Sequence, residues 1–378
     1  MRRLSILSFA VLLLATACQS PPTSDQPSDT NQLEQFRTET NDRLEEITGE
    51  LEGLDEKARR ERLIELAQEE GATLTLYGVT NLEEMAENID AFEEDTGMTV
   101  NYYRAGSEEI LQRLVEEQKA GFRAADAVNE NGAEMVFLDR EGMFAPVVTP
   151  ASEDLPEKGV HETWFWSYID IFAPAWNPKL IPASEAPKTW QDVLGKYDQE
   201  LLMEIGDIEW FATLVKHFVA EEGMTEEEAI ALFEDAAKNA TFVDGHTLMV
   251  ELVAAGEYGI AASPYSHRNA EFKEDGAPVE WEPAVAPLVA RPEGVAVHST
   301  AEHPAAALLF VEWYLTDGQK LGLTQERQPA STAVPGGGLP EDYENIVVDV
   351  DAVLDEFDRW SELYDEIVQM SGEEVLVD

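Results

Sequence analysis

Apolar positions follow two rhythms from residue 72 onward. Thr73–Tyr77 (TLTLY) alternates with a period of two and predicts a strand. Met85, Ile89 and Phe92 then recur at helical spacing behind a cap formed by Asn81 and Glu84. The cycle repeats twice. Met98–Tyr103 predicts a second strand, and Ile110, Leu111, Leu114 and Val115 line a helix begun at Ser107. Ala125–Val128 predicts a third strand and Gly132–Arg140 a third helix. Strands alternating with helices predict an α/β domain, a parallel sheet covered by helices. A second unit starts near residue 176. It has a helix over Thr189–Tyr197, a strand over Leu201–Ile205 and a helix over Trp210–Ala220. Thr225 and Glu228 cap a helix that turns Ala229, Leu232 and Phe233 inward. The stretch VDGHT leads into a helix over Leu248–Ala255, and Tyr258–Ala262 predicts a strand. Val289–Val297 is apolar, Pro304 opens a helix over Ala305–Leu315, and a last helix is expected over Ala352–Met370.

The first 70 residues are different. Residues 33–70 form an amphipathic helix in which Leu44, Ile47, Leu51 and Leu54 step by three and four among charges. Such a narrow stripe suits either a short coiled coil or a helix lying on the main domain. Residues 18–32 contain no aliphatic side chain, and their Ser, Pro and Asp read as a disordered tether. Residues 1–17 have the layout of a signal peptide: Arg2 and Arg3, an apolar run, then Ala15, Thr16 and Ala17. Cys18 follows at the position of a lipidation site, so the chain is expected to be exported and held at a membrane surface by a lipid anchor. The apolar run of 14 residues is shorter than the ~20 that span a bilayer.

Composition narrows the partners. The chain has 378 residues, 44% of them hydrophobic, with eight tryptophans, enough for two lobes with real cores. Its one cysteine, if lipidated, leaves no disulfide. Asp and Glu number 77 against 25 Lys and Arg, a net charge of −52 spread along the chain. An even acidic coat suits high salt, where charge repulsion is screened within ~3 Å at about 1 M. It disfavours nucleic acid and anionic membranes as partners. Asp349, Asp351 and Asp355 do not make a calcium loop, because Leu354 stands at the glycine position and Trp360 at the glutamate position.

Sequence signatures of catalysis are missing: there is no H-E-x-x-H, G-x-S-x-G, P-loop or dinucleotide fingerprint. A binding protein is therefore expected rather than an enzyme. A secreted hydrolase or lyase on the same fold is the alternative of another class. Parallel sheets bind ligands at strand carboxyl ends beside helix N-termini. Residues at those places are Thr80, Arg104 and Asn131 in the first unit, and Trp210, His246, Thr247, Tyr265 and His267 in the second. Arg104 could pair a carboxylate or phosphate. Trp210 could stack on a ligand or fill the core.

At these residues the chain resembles the ferric-iron-type branch of ABC-transporter solute-binding proteins. The likeness runs through ELAQEEGATLTLYGVTN, VNYYRAGSEEILQRLVEEQKAG, ADAVNENGAEMVFLDREGMFAP, APAWNPKLIPASEAPKTWQDVL, DGHTLMVELVAAGEYGIAASPYSHR and VEWYLTDGQKLG, over residues 65–370. The resemblance implies a two-lobed type II periplasmic-binding-protein fold. Lobe 1 would comprise 71–172 and 290–378, and lobe 2 would comprise 173–289. It also implies an interlobe cleft, a monomer, no resident cofactor, and delivery of cargo to an ABC permease. Iron carriers of the branch have adjacent tyrosines where this chain has Pro264-Tyr265. If the cargo is Fe3+, Tyr265 and His267 would be its ligands here. The cargo otherwise expected is a small polar, anionic organic solute.

Overall fold

The computed structural model describes residues 29–123, 125–197, 201–371 and 375–377. Cys18 and the leader lie outside the described residues.

Two helices precede the first sheet, α1 (Asp29–Leu51) and α2 (Glu56–Glu69). The single helix expected over 33–70 is broken by a turn in which Gly53 adopts φ +75°, and α1 starts four residues earlier, inside the expected tether. Leu44, Ile47 and Leu51 are buried, as are Leu63, Leu66 and Ala67 of α2, whereas Leu54 is exposed. The stripe lies on the body of the protein. Thr40 Oγ1 donates to the Ala301 carbonyl at 3.0 Å, Arg43 pairs with Glu70 at 3.0 Å, and Arg59 grips both oxygens of Glu312.

The expected alternation follows: β1 (Thr73–Gly78), α3 (Leu82–Thr96), β2 (Thr99–Arg104), α4 (Ser107–Lys119), β3 (Ala127–Asn131) and α5 (Gly132–Arg140). Strand β4 (Trp164–Phe172) is buried along its whole length and leads to β5 (Ala175–Trp176). The chain then builds α6 (Trp190–Lys196), β6 (Leu201–Glu204), α7 (Ile208–Ala220), α8 (Glu226–Ala237), β7 (Thr241–Asp244), α9 (His246–Ala255), β8 (Ile260–Ala261) and α10 (Ser266–Glu274). It returns through β9 (Leu288–Val297), α11 (Pro304–Tyr314), α12 (Asp317–Thr324), β10 (Gln328–Pro329) and β11 (Asn345–Val347). It ends in α13 (Val350–Leu354), α14 (Phe357–Met370) and β12 (Leu376–Val377).

These elements form two sheets. The first has the order β10-β4-β9-β3-β1-β2, with β11 also on β9; the second is β12-β7-β6-β8-β5. In the first sheet β1 runs parallel to β2 and β3, and β9 antiparallel to β3 and β4. Helix α11 is the centre of the lobe-1 core, with every residue but Glu312 buried. In lobe 2, Trp190, Trp210, Phe211, Phe233 and Trp360 pack edge to face. The molecule is thus a two-lobed α/β protein. The expected last helix over 352–370 is two helices, and it does not stay with lobe 1 as the 290–378 assignment had it. Helix α14 packs on α7 and α8, and β12 pairs with β7, so the chain crosses between lobes a third time. No helix of the described residues is long and apolar enough to cross a membrane.

Candidate functional site

The two sheets open onto one cleft of about 1370 Å³. From lobe 1 it receives the ends of β1, β2 and β3 with the N-termini of α3, α4 and α5. From lobe 2 it receives the ends of β6 and β7 with the N-termini of α7, α9 and α10. The side chain of Asn81 caps α3, accepting from Glu84 N at 3.0 Å. The N-cap residues of α4, α5, α7, α9 and α10 make no side-chain cap hydrogen bond, although Ile208 N at the start of α7 donates to the Gly206 carbonyl at 2.8 Å. Gly245, at φ +119°, makes the sharp entry that places His246 at the start of α9.

Seven of the eight expected residues line this cleft. Thr80 is buried and donates from Oγ1 to Asn129 Oδ1 at 2.8 Å, while its carbonyl accepts from the Tyr102 hydroxyl. Arg104 is exposed at the end of β2, and among the described residues no ion pair or hydrogen bond engages it. Asn131 donates to Ser107 Oγ at 2.6 Å. Thr247 lines the wall beside His246. The Tyr265 ring stacks on His246, with centroids 4.0 Å apart, and on His267 at 5.5 Å. Trp210 is the exception. It is fully buried against Trp190 and Phe233 and does not reach the cleft: α7 begins at Ile208, and its apolar side packs toward α8.

Charges that sequence reasoning passed over form the floor. Arg291 donates to Asp170 Oδ2 at 2.9 Å and to the Tyr265 hydroxyl, and its other terminal nitrogen is 3.5 Å from Glu209. Arg327 donates to Glu84 at 2.9 Å and to Glu293 at 2.7 Å, and Arg268 also pairs with Glu84. Burial works against ionising Asp170 and Glu84, but the neighbouring arginines outweigh it and hold both below the usual carboxylate range. Burial pushes Glu293 up to about 7 against the pull of Arg327, and burial, then the neighbouring Glu209, raises Glu134 to about 7. His267 is pushed down to about 4, chiefly by burial. Tyr265 is held in its neutral form by burial, against the Arg291 charge.

The cleft is lined by fifteen carboxylates against four arginines, of which Arg291, Arg327 and Arg268 are already paired. The floor is therefore more acidic than an anionic cargo alone requires. Buried oxygens of Glu209 and Glu293 have no hydrogen-bond partner, so the floor asks for donors. Among the described residues a second metal-capable grouping lies beside Tyr265 and His267 on the cleft wall. It is Glu204, Asp207 and His246, whose donor atoms lie within 4.8 Å of one another. The remaining Tyr265 oxygen is occupied by Arg291.

Comparison with known proteins agrees with this architecture. A Fe(3+)-binding periplasmic protein of Serratia marcescens is 24% identical over 184 residues, 45% of this chain; the chain spans about half the length of that relative. Iron-bound HitA from Pseudomonas aeruginosa superposes with a TM-score of 0.66 at 19% identity, covering 78% of this chain and 99% of that one. The periplasmic binding protein AfuA from Actinobacillus pleuropneumoniae, with exogenous fructose-6-phosphate bound, gives 0.68 at 20% identity over 79% and 99% of the two chains. A family model described as bacterial extracellular solute-binding protein matches residues 87–343, two thirds of the sequence. The chain belongs to the bacterial extracellular solute-binding protein family.

Proposed function

We propose that this protein is the capture component of an ABC importer, held at the membrane by a lipid on Cys18, that takes a small polar solute between its lobes and hands it to a permease. The observation that carries the reading is the shared cleft, into which both sheets direct strand ends and helix N-termini. A solute that touches both walls stabilises the closed arrangement over the open one, which is the signal a permease can read. The cargo combines two features. One anionic group suits Arg104, the lining arginine without a described partner. Hydroxyl or ammonium donors suit the unpartnered oxygens of Glu209 and Glu293. A small organic acid bearing such donors satisfies both.

Ferric-iron capture is the second reading. The Serratia relative and the HitA structure, both iron proteins by name, favour it. The pairing of Tyr265 with Arg291 weighs against it, since a phenolate ligand would first have to be released. Mass spectrometry of protein purified without refolding tests the choice. An organic acid with amino or hydroxyl groups is expected. Stoichiometric iron with a visible charge-transfer band would replace that cargo by Fe3+. A cleft that retains and titrates no solute from a pooled metabolite extract would overturn the capture reading.

A further inference from the structure

We propose that Glu204, Asp207 and His246 form a binding site for a divalent transition-metal ion, built entirely on the lobe-2 wall of the cleft. Glu204 ends β6, Asp207 precedes α7, and His246 opens α9, so three elements of one sheet layer converge. Their donor atoms lie within 4.8 Å of one another. An ion bound tetrahedrally at about 2.0–2.2 Å from each donor needs donor separations of about 3.3–3.6 Å. His246 Nε2 and Asp207 Oδ1 are already 2.9 Å apart, and the wider pairs must close by up to about 1.3 Å.

The side chains around the site are fixed but not satisfied. Asp207 is 3% exposed, and its Oδ2 has no hydrogen-bond partner. Glu204 is 6% exposed, and among the described residues its oxygens accept from the backbone amides of Gly206 and Gly245. His246 Nε2 faces Asp207 Oδ1 at 2.9 Å, and the Tyr265 ring stacked on the imidazole holds its orientation. Two buried carboxylates thus meet one imidazole. The guanidinium of Arg291, on the same cleft, is committed to Asp170, Tyr265 and Glu209. A divalent cation neutralises both carboxylates and exchanges the His246–Asp207 hydrogen bond for two metal bonds. An imidazole with two carboxylates is a donor set for Zn2+, Co2+ or Mn2+ rather than for a soft ion.

Because all three donors belong to one lobe, loading does not require closure. This separates the ion from a cargo bridging both lobes, and the site stands whether or not the protein delivers cargo to a permease. The test is titration of chelator-stripped protein with ZnCl2 and CoCl2 in about 1 M NaCl, which screens binding to the acidic surface. One ion per chain is expected, weakened at least tenfold in Asp207→Asn and in His246→Gln. X-ray absorption of the zinc-loaded wild type should find one imidazole nitrogen per ion, a readout independent of how the variants fold. Small-angle scattering should find the same radius of gyration with and without zinc. Binding unchanged in both variants, a zinc shell without imidazole, or contraction on adding zinc would each overturn the one-lobe site. Each of these leaves the cargo experiment unaffected.

Discussion

Arg104 lines the cleft from lobe 1 and Tyr265 from lobe 2, and the two should respond differently to substitution. Arg104 has no described partner, so on the proposed reading Arg104→Ala would remove a ligand contact and leave no orphaned acid. A charge-assisted hydrogen bond contributes about 1.5–3 kcal/mol, so calorimetry with the copurified organic acid should give a ten- to hundredfold weaker Kd. Tyr265→Phe loses one hydroxyl that Arg291 already uses. With an organic cargo the expected cost is about 1 kcal/mol, and with Fe3+ it is loss of binding and colour. Glu134 supplies a pH test. Its pKa of about 7 in the folded protein lies above the unfolded 4.5, raised by burial and then by Glu209. The folded state therefore holds a proton that the unfolded state has released. The stabilisation is full below pH 4.5 and lost as pH rises through 7. Glu134→Gln should match the wild type in thermal midpoint near pH 4 and exceed it at pH 8, by on the order of 1–3 kcal/mol of stability. Strand-end logic located Thr80, Arg104, Asn131, His246, Thr247, Tyr265 and His267. It missed the floor because Asp170, Arg291 and Glu293 sit inside apolar strands, not at their ends. Their signal was available in WFWSYIDIF and LVARPEGVAV, since a charge in a buried strand needs a buried partner.

Helices announced themselves through caps. Asn81 bonds to Glu84 N, and Thr225 and Glu228 form the full reciprocal box, as their spacing requires. Strand β4 gave no period-two pattern because both of its faces are covered, so burial erased the alternation. Its aromatic density was the remaining clue. The pair α1–α2 shows the converse case: its apolar stripe was plain, but a stripe cannot say what covers it. Ile47 is fully buried, and α1 contacts α2, α4 and α11. Ile47→Ala should destabilise the protein by about 2–5 kcal/mol. Denaturation midpoints should be independent of protein concentration. A midpoint that rises with concentration would mean the stripe instead joins two chains.

Over the whole molecule, the net charge of −52 opposes compaction. The Debye length falls from about 10 Å at 0.1 M salt to ~3 Å at 1 M, so the thermal midpoint should climb steeply with NaCl over that range. A flat response would contradict adaptation to high salt. Attachment is tested by labelling with a radioactive fatty acid, which should mark the wild type and not Cys18→Ser. Strands β4 and β9 join the lobes. Asp170 lies on β4 and Arg291 on β9, neighbours in register near the points where the chain leaves one sheet for the other. The ion pair that floors the cleft is therefore also a brace across the pivot. A cargo that competed for Arg291 would therefore act on the strands joining the lobes as well as on the cleft floor. An Asp170→Asn protein should then differ from the wild type in its open-to-closed ratio even with nothing bound, read as a change in the distance between spin labels placed one on each lobe.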